Sequence, residues 1–399
     1  MKGIHNGQST DTSPRKRRLI ATAVFVVLAI LVGGTFYVAS LFTLFAHPSP
    51  ITQTPAPKKQ SGAIITKSIN RLPLMHTSQA MTAATPWGIA IDSLHEVVWV
   101  AEPGAGCEPL PTCNTTTAGL LGEYDLLDGK FIQHFQEPPG YTNPVFVAVD
   151  AQGHVWFTEP NSDAIGELDP QNTIWSQWNV LKGSAPFDLT FDASGNLWFT
   201  EFEANCIGFF NPHTHTFVVN PIPTLNSDPY GITRDPRGNI WFTENSEGVG
   251  RIGSLIPTPS GRIRITEHKV TTAQPHLITA DQAGNIWYSE AFSGSVGEYS
   301  PASGRSKSYS LSTDICTNCG THISGIAVDT QGDIWFDDTL SQRIGYLNPK
   351  TGHVVDKTLG DVDSSAYDGL AVDRHNRVWF TELYSSLMIM WPKETLKST

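Results

Sequence analysis

Seven positions at a nearly fixed distance before recurring tryptophans carry the side chains best suited to chemistry. Each lies eleven residues before a tryptophan, or twelve in the first copy: Trp87, Val145, Phe187, Tyr230, His276, Ser324 and Asp368. Aromatic rings, an imidazole and a carboxylate gathered in one place are typical of a small-molecule site, although such residues could also simply plug a channel. We expect a ligand to contact Trp87, Phe187, Tyr230, His276, Ser324 and Asp368.

Two members of this set, His276 and Asp368, each belong to a pair that could support catalysis. His276 and Glu290 are fourteen residues apart, and together with Tyr230 they form a candidate catalytic group in which the imidazole acts as a general base. Asp368 and Glu382 have the same spacing and offer the carboxylate oxygens that divalent cations prefer. The sequence therefore also predicts a metal site at Asp368 and Glu382.

The tryptophans belong to a repeat of the size of a propeller blade. Trp99, Trp156, Trp198, Trp241, Trp287, Trp335 and Trp379 are 42 to 57 residues apart, in segments such as GNLWFTE and GNIWFTE. An acidic residue follows each tryptophan at the third position. Each repeat reads as four short strands joined by turns. We predict an all-β, seven-bladed β-propeller of four-stranded antiparallel blades over residues 62–399, with the tryptophans packed between blades.

The repeats also predict how the turns form and how the ring closes. An aspartate opens the first hairpin turn of every repeat, and its carboxylate can accept hydrogen bonds from the turn amides. Calcium binding by these aspartates is the alternative. The last repeat lacks its outer strand, so we expect residues near 63–72 to supply that strand and cover an open sheet edge.

The N-terminal segments predict a membrane anchor. Residues 1–18 form a basic cytoplasmic terminus, residues 19–46 are uncharged and long enough for a transmembrane signal anchor, and residues 47–61 form a flexible linker rich in Pro, Thr and Ser. The basic residues 15–18 place the N-terminus inside and the propeller outside the cell membrane, in a single-pass arrangement. A cleaved signal peptide is the alternative interpretation.

Cysteine positions and net charge limit the remaining possibilities. Cys107 with Cys113 and Cys316 with Cys319 can form disulfides that pin loops outside the membrane, whereas a zinc site would need further ligands. Cys206 is left over and is expected to be buried. The net charge of −12 and the lack of a basic patch argue against a nucleic-acid partner. Nothing in the sequence indicates oligomerisation, so we expect a monomer.

The combination of P-x-G-I-T, G-N-I-W-F-T-E and I-G-x-L resembles the streptogramin B lyase (virginiamycin B lyase) family of β-propellers. The segment from Asp228 to Glu244, DPYGITRDPRGNIWFTE, is close to that family's repeat, and the similarity covers about residues 62–392. The resemblance implies a Mg²⁺-dependent lyase that opens a cyclic depsipeptide by elimination across an ester C–O bond. It implies Mg²⁺ as the cofactor.

The family's catalytic positions are mostly changed in this chain. Trp87 stands where the family has a tyrosine, Ser324 and Asp368 where it has histidines, and Ala366 where it has a glutamate; Glu382 matches. Two functions therefore remain open. The first is an extracytoplasmic propeller that binds a small molecule, glycan or peptide at its channel mouth. The alternative is a metal-dependent C–O lyase or hydrolase acting on a cyclic depsipeptide or lactone-like substrate.

Overall fold

A computed structural model describes residues 69–73, 86–104, 119–271, 274–311, 321–359, 366–382 and 386–390. Within these ranges no helix has the length and apolar character needed to cross a membrane. The predicted anchor at 19–46, the linker at 47–61 and the cysteine pairs 107–113 and 316–319 lie outside the described residues. Residues 62–399 form one compact unit.

The described strands pair into four-stranded antiparallel sheets, called blades here and numbered by the order of their tryptophans. Blade 1 contains β2 (Ile89–Asp92), β3 (Val97–Glu102), β4 (Leu120–Asp125) and β5 (Phe131–Gln136). Blade 2 contains β6 (Val147–Val149), β7 (Val155–Glu159), β8 (Ala164–Asp169) and β9 (Ile174–Asn179). Blade 3 contains β10 (Pro186–Phe191), β11 (Leu197–Glu201), β12 (Cys206–Asn211) and β13 (Thr216–Pro221).

The next three blades repeat this order of strands. Blade 4 contains β14 (Pro229–Arg234), β15 (Ile240–Glu244), β16 (Arg251–Leu255) and β17 (Thr266–Lys269). Blade 5 contains β18 (Pro275–Ala280), β19 (Ile286–Glu290), β20 (Ser295–Ser300) and β21 (Arg305–Ser310). Blade 6 contains β22 (Ile323–Val328), β23 (Ile334–Asp338), β24 (Arg343–Asn348) and β25 (His353–Thr358).

The remaining sheet corrects the predicted fold class, which counted seven four-stranded blades. Six blades, not seven, are each built from four consecutive strands of the described chain. The last sheet, which holds Trp379 and is called blade 7 below, is composite: β26 (Ala366–Val372), β27 (Val378–Glu382) and β28 (Ser386–Met390) are completed by β1 (Ile69–Pro73). Strand β1 pairs with β28 antiparallel, from Ile69 opposite Met390 to Pro73 opposite Ser386. The two ends of the unit are thus joined by backbone hydrogen bonds, which leaves no free edge on β28.

The innermost strands close a ring. Each of β2, β6, β10, β14, β18, β22 and β26 contacts the next in this order, and β26 contacts β2. All seven repeat tryptophans are at least 96% buried, and aromatic and aliphatic side chains of adjoining blades pack around them. Burial of these large apolar groups between sheets supplies the main stabilising contact of the ring.

The recurring aspartates hold the turns, as the sequence predicts. In blades 2 to 7 the carboxylate accepts turn amides through Oδ1, as Asp192 does from Ser194 and Asn196. The other oxygen accepts the indole Nε1–H of the repeat tryptophan at 3.0–3.1 Å. One carboxylate therefore fixes both the hairpin and the buried indole. Cys206 is buried and free, as expected.

Candidate functional site

The seven positions before the tryptophans lie where the innermost strands begin, at the end of the ring that we call the channel mouth. The structure places all of them there: Trp87, Val145, Phe187, Tyr230, His276, Ser324 and Asp368. All except Tyr230 are more than 90% buried, and Tyr230 is partly exposed. The structure therefore brings together at the channel mouth the set of side chains that the sequence predicted there.

Breaks in strand pairing aim these side chains. In blades 3 to 7 the register between the innermost strand and its neighbour shifts at the mouth residue, for example between Pro229 and Ile232 around Tyr230. Such bulges leave residues unpaired and redirect their side chains. The shift is largest in blade 7, where Asp368 has a positive φ of 30°. Non-glycine residues rarely adopt this conformation, and strained backbone of this kind is concentrated at functional sites.

Five of the seven mouth residues are also held by a side-chain hydroxyl of the preceding blade. The hydroxyl of Thr200 donates to the carbonyl of Tyr230 at 2.8 Å, and that of Thr243 donates to the carbonyl of His276 at 2.6 Å. Glycine after the mouth residue lets the inner strands approach closely: a Cβ at Gly231 would lie 2.9 Å from the Cα of Leu277. The P-x-G-I and W-F-T motifs therefore fix the spacing of the mouth side chains.

Asp368 is the centre of a hydrogen-bonded cluster that spans three blades. Tyr230 Oη donates to its Oδ2 at 2.6 Å, and His276 Nε2 lies 3.2 Å from its Oδ1. On the other side of the imidazole, Asn245 Nδ2 lies 3.1 Å from His276 Nδ1. Burial opposes ionisation of Asp368, but His276 and Tyr230 outweigh it, so the pKa of this carboxyl is lowered. Asp368 is thus an ionised acceptor inside the mouth.

A band of aromatic rings extends from this cluster. The ring of Tyr230 stacks on that of His276 with centroids 4.1 Å apart and contacts that of Phe187 at 4.4 Å. The ring of His276 also meets that of His322 at 5.1 Å, and His322 contacts the exposed Phe292. The result is a continuous band of rings with a buried carboxylate at its centre.

Sequence reasoning missed His322 because it stands two residues before the fixed mouth position. Burial lowers its pKa to about 4, helped by the neighbouring His276, so His322 is neutral at pH 7. Its side chain is partly exposed. A neutral imidazole at the edge of the cluster can accept a proton or a hydrogen bond from a ligand.

Sequence reasoning also missed two further carboxyl groups at the mouth, those of Asp337 and Asp188. The sequence does contain an indication for Asp337. It occupies the position that is Thr or Ser in blades 2 to 5 and in blade 7. Its Oδ1 accepts the hydroxyl of Ser324 at 2.5 Å, while Oδ2 is buried with no hydrogen-bond partner among the described residues. Burial raises the pKa of Asp337 to about 7. Burial likewise raises the pKa of Asp188 to about 7, and the charge of Asp368 adds to the rise.

The predicted catalytic pair is not joined in the described structure. His276 bonds to Asn245 and Asp368, whereas Glu290 pairs across the strand with Pro275 and accepts from Ser293 Oγ at 2.6 Å. Tyr230 does lie against His276, as the predicted catalytic group of His276, Glu290 and Tyr230 requires. The structure therefore unites two of the three proposed catalytic residues and places Asp368 where Glu290 was expected.

The mouth is a poor match for Mg²⁺. This ion prefers an octahedral set of oxygen ligands. Both oxygens of Asp368 already accept hydrogen bonds, and Glu382 lies opposite Ala366 at the start of β26. Among the described residues, three ligand-type side chains converge only at Asp150, His154 and Glu167, at the opposite end of the inner strands. The metal pair Asp368 and Glu382 stays a prediction.

Comparison with known proteins places this geometry in context. A profile described as the Virginiamycin B lyase family matches residues 113–323, just over half of the chain. No curated protein matches the sequence. Among solved structures, a streptogramin B lyase has 21% sequence identity and a TM-score of 0.68, covering 81% of this chain and 97% of its own.

Two further structures come from Staphylococcus aureus. Its virginiamycin B lyase has 23% identity and a TM-score of 0.67, with 81% of this chain and 99% of that chain covered. A catalytically inactive alanine variant of a virginiamycin B lyase, solved with quinupristin, has 23% identity and a TM-score of 0.66 over the same shares. At this level of identity the likeness shows a common fold.

Proposed function

The chain belongs to the virginiamycin B lyase family, and on that premise we propose that its propeller binds a small molecule, a glycan or a peptide at the channel mouth. The observation that carries the proposal is the Tyr230–Asp368–His276 cluster, in which one ionised carboxylate joins three blades. Its aromatic surfaces suit a ligand with a flat ring, and its polar atoms suit one with hydrogen-bonding groups. The ligand class with both features is a compact aromatic-bearing molecule or peptide.

A titration of quinupristin into the full chain tests this proposal, because a structural relative was solved with that compound. We expect saturable heat with the wild-type protein. Replacing His322 with alanine should weaken binding by at least about tenfold, since a neutral hydrogen-bonding ring at the edge of the site is lost. The variant His213→Ala, in an exposed turn of blade 3, is the matched control and should bind like wild type.

Absence of heat with the wild-type protein, or equal affinity of the two histidine variants, would count against binding at the mouth. The same samples separate binding from catalysis. Elimination across an ester C–O bond transfers a proton to a base, forms a carbon–carbon double bond and releases a carboxylate, so the ring opens without a change in mass. Hydrolysis instead adds one water. Chromatography with mass detection distinguishes the unchanged ligand, the elimination product and the hydrolysis product.

The lyase alternative is favoured by one observation, the neutral His322 beside His276 at the mouth. An imidazole that is unprotonated at pH 7 is suited to act as a general base. Glu382 is the residue that matches the family's catalytic position. It is the last residue of β27 and pairs with Ala366 at the start of β26. If this alternative holds, ring opening should disappear in His322→Ala.

We further propose that the propeller is anchored outside the cell membrane by residues 19–46. The support is the uncharged apolar stretch after the basic residues 15–18. Fractionation of cells that produce the full chain should place it in the membrane fraction, resistant to high salt. Release of a protein with a new N-terminus near residue 47 would instead support a cleaved signal peptide.

A further inference from the structure

Blade 2 departs from the repeat at its first hairpin turn, between β6 and β7. In blades 3, 4 and 5 the residue two before the tryptophan is asparagine, and its amide donates to the turn aspartate at 2.8–3.0 Å. Blade 2 has His154 at this position. Its Nδ1 lies 3.5 Å from Asp150 Oδ2 and 2.9 Å from Glu167 Oε1 on the neighbouring strand β8. An imidazole nitrogen therefore meets two carboxylates where blades 3 to 5 have an amide beside the turn aspartate.

The separations between these atoms match the edges of a metal coordination shell. With metal–ligand bonds of about 2.1 Å, neighbouring donor atoms lie about 3.0 Å apart in an octahedral shell and about 3.4 Å apart in a tetrahedral one. The two distances measured from His154 Nδ1 are 2.9 and 3.5 Å. All three side chains offer ligand atoms within 4.8 Å of one another. A single ion can therefore reach all three after small side-chain rotations.

The fold holds these ligands in place without using up their donor atoms. Asp150 Oδ1 accepts the backbone amides of Gln152 and His154 at 2.9 Å. Its Oδ2 accepts Trp156 Nε1–H at 3.0 Å, and since a carboxylate oxygen has two lone pairs, a position remains for a metal. Glu167 lies directly opposite Trp156 in the pairing of β7 with β8. Metal-binding carboxylates are commonly oriented by such further hydrogen bonds.

The donor atoms select the ion. Mg²⁺ and Ca²⁺ prefer oxygen ligands alone, whereas one imidazole nitrogen with two carboxylate oxygens is a set that suits Zn²⁺. Two neighbouring carboxylates repel each other, and a divalent cation between them relieves that repulsion. The three side chains are 14–33% exposed, so an ion can enter from solvent. We propose that Asp150, His154 and Glu167 form a zinc site that ties the first hairpin of blade 2 to strand β8.

Calorimetric titration of Zn²⁺ into the metal-free full chain tests the site. We expect wild type to bind one more equivalent of zinc than His154→Asn does. Zinc should also raise the Tm of wild type but not that of the variant, because only wild type binds the ion at this site when folded. Asparagine is the residue of blades 3 to 5, so the variant can restore their turn hydrogen bond and fold. Glu167→Gln should weaken zinc binding at this site by at least about tenfold.

Blade 1 supplies the matched control. There His95 Nδ1 lies 2.6 Å from Asp92 Oδ2, but no third ligand-type side chain joins this pair among the described residues. His95→Asn should therefore bind zinc like wild type. No zinc binding by wild type, or an equal number of zinc equivalents and an equal Tm response in wild type and His154→Asn, would overturn the proposal, as would loss of the same equivalent in His95→Asn. The site shares no residue with the channel mouth, so its failure would leave the proposal for the mouth standing.

Discussion

Replacing His276 with alanine should lower the free energy of unfolding by about 3 to 5 kcal/mol near neutral pH. The physical reason is that Asp368 stays buried but loses the imidazole 3.2 Å away, and among the described side chains only the hydroxyl of Tyr230, at 2.6 Å, is left as a donor. Tyr230 also loses the ring stacked on it. Binding at the mouth should be lost with the same substitution. Urea unfolding followed by circular dichroism measures the first effect.

The loss should depend on pH in a defined direction. The pKa of Asp368 is lowered in the folded protein, so its stabilising contribution is complete above its unfolded pKa of about 3.9 and disappears as the pH falls through the lower folded value. The difference between wild type and His276→Ala should therefore be largest at neutral pH and shrink in acid. His213→Ala should change stability by less than about 0.5 kcal/mol. An equally large loss in acid would contradict the role given to Asp368.

Changing Asp337 to threonine should stabilise the protein by about 2 to 4 kcal/mol at pH 8. Burial raises the pKa of Asp337 to about 7, so at pH 8 the wild-type protein must hold a charge at a site that disfavours it. Threonine is the residue at this position in blades 2, 3, 4 and 7. There its hydroxyl donates to the mouth carbonyl of the next blade, as Thr381 does to Trp87 at 3.0 Å.

The stability gained by Asp337→Thr should vanish in acid. The folded pKa of Asp337 is raised, whereas that of Asp368 is lowered, so the two groups change stability in opposite directions as the pH rises. Between pH 4 and pH 7 the unfolded chain releases the proton first, so wild-type stability falls as the pH rises and then levels off. The stabilisation by Asp337→Thr should grow over the same interval. Asp337→Asn, which keeps the shape but cannot ionise, should show the same trend, and the exposed Asp128→Asn should not. A gain independent of pH would contradict the assignment.

The pKa of Asp368 is lowered and that of Asp337 is raised. These opposite shifts indicate that the mouth is built for a ligand at the expense of stability. Ser, Thr or Ala at position 337 would satisfy the fold, as equivalent residues do in the other blades. A carboxyl group with an unpartnered oxygen at this position destabilises the ring but offers a polar atom beside Ser324 and Gly325. Buried groups of this kind are concentrated at functional sites.

The amino-acid sequence by itself determined the blades and the seven positions at their mouth. The reason is that the information is local: a tryptophan, the aspartate six residues before it and the acid three residues after it all act within one hairpin. Alternation of apolar residues and the turn motifs then specify each four-stranded sheet. The need for an N-terminal strand beside β28 also follows locally, because the last repeat is one strand short.

Only the tertiary structure decided which side chains meet. Tyr230 and Asp368 are 138 residues apart and belong to different blades, so no spacing along the chain relates them. His322 reaches the cluster from outside the fixed position, and the bulge at Asp368 places its carboxylate beside His276. Closure of the ring determines which blades are in contact. The repeat pattern in the sequence does not specify these contacts.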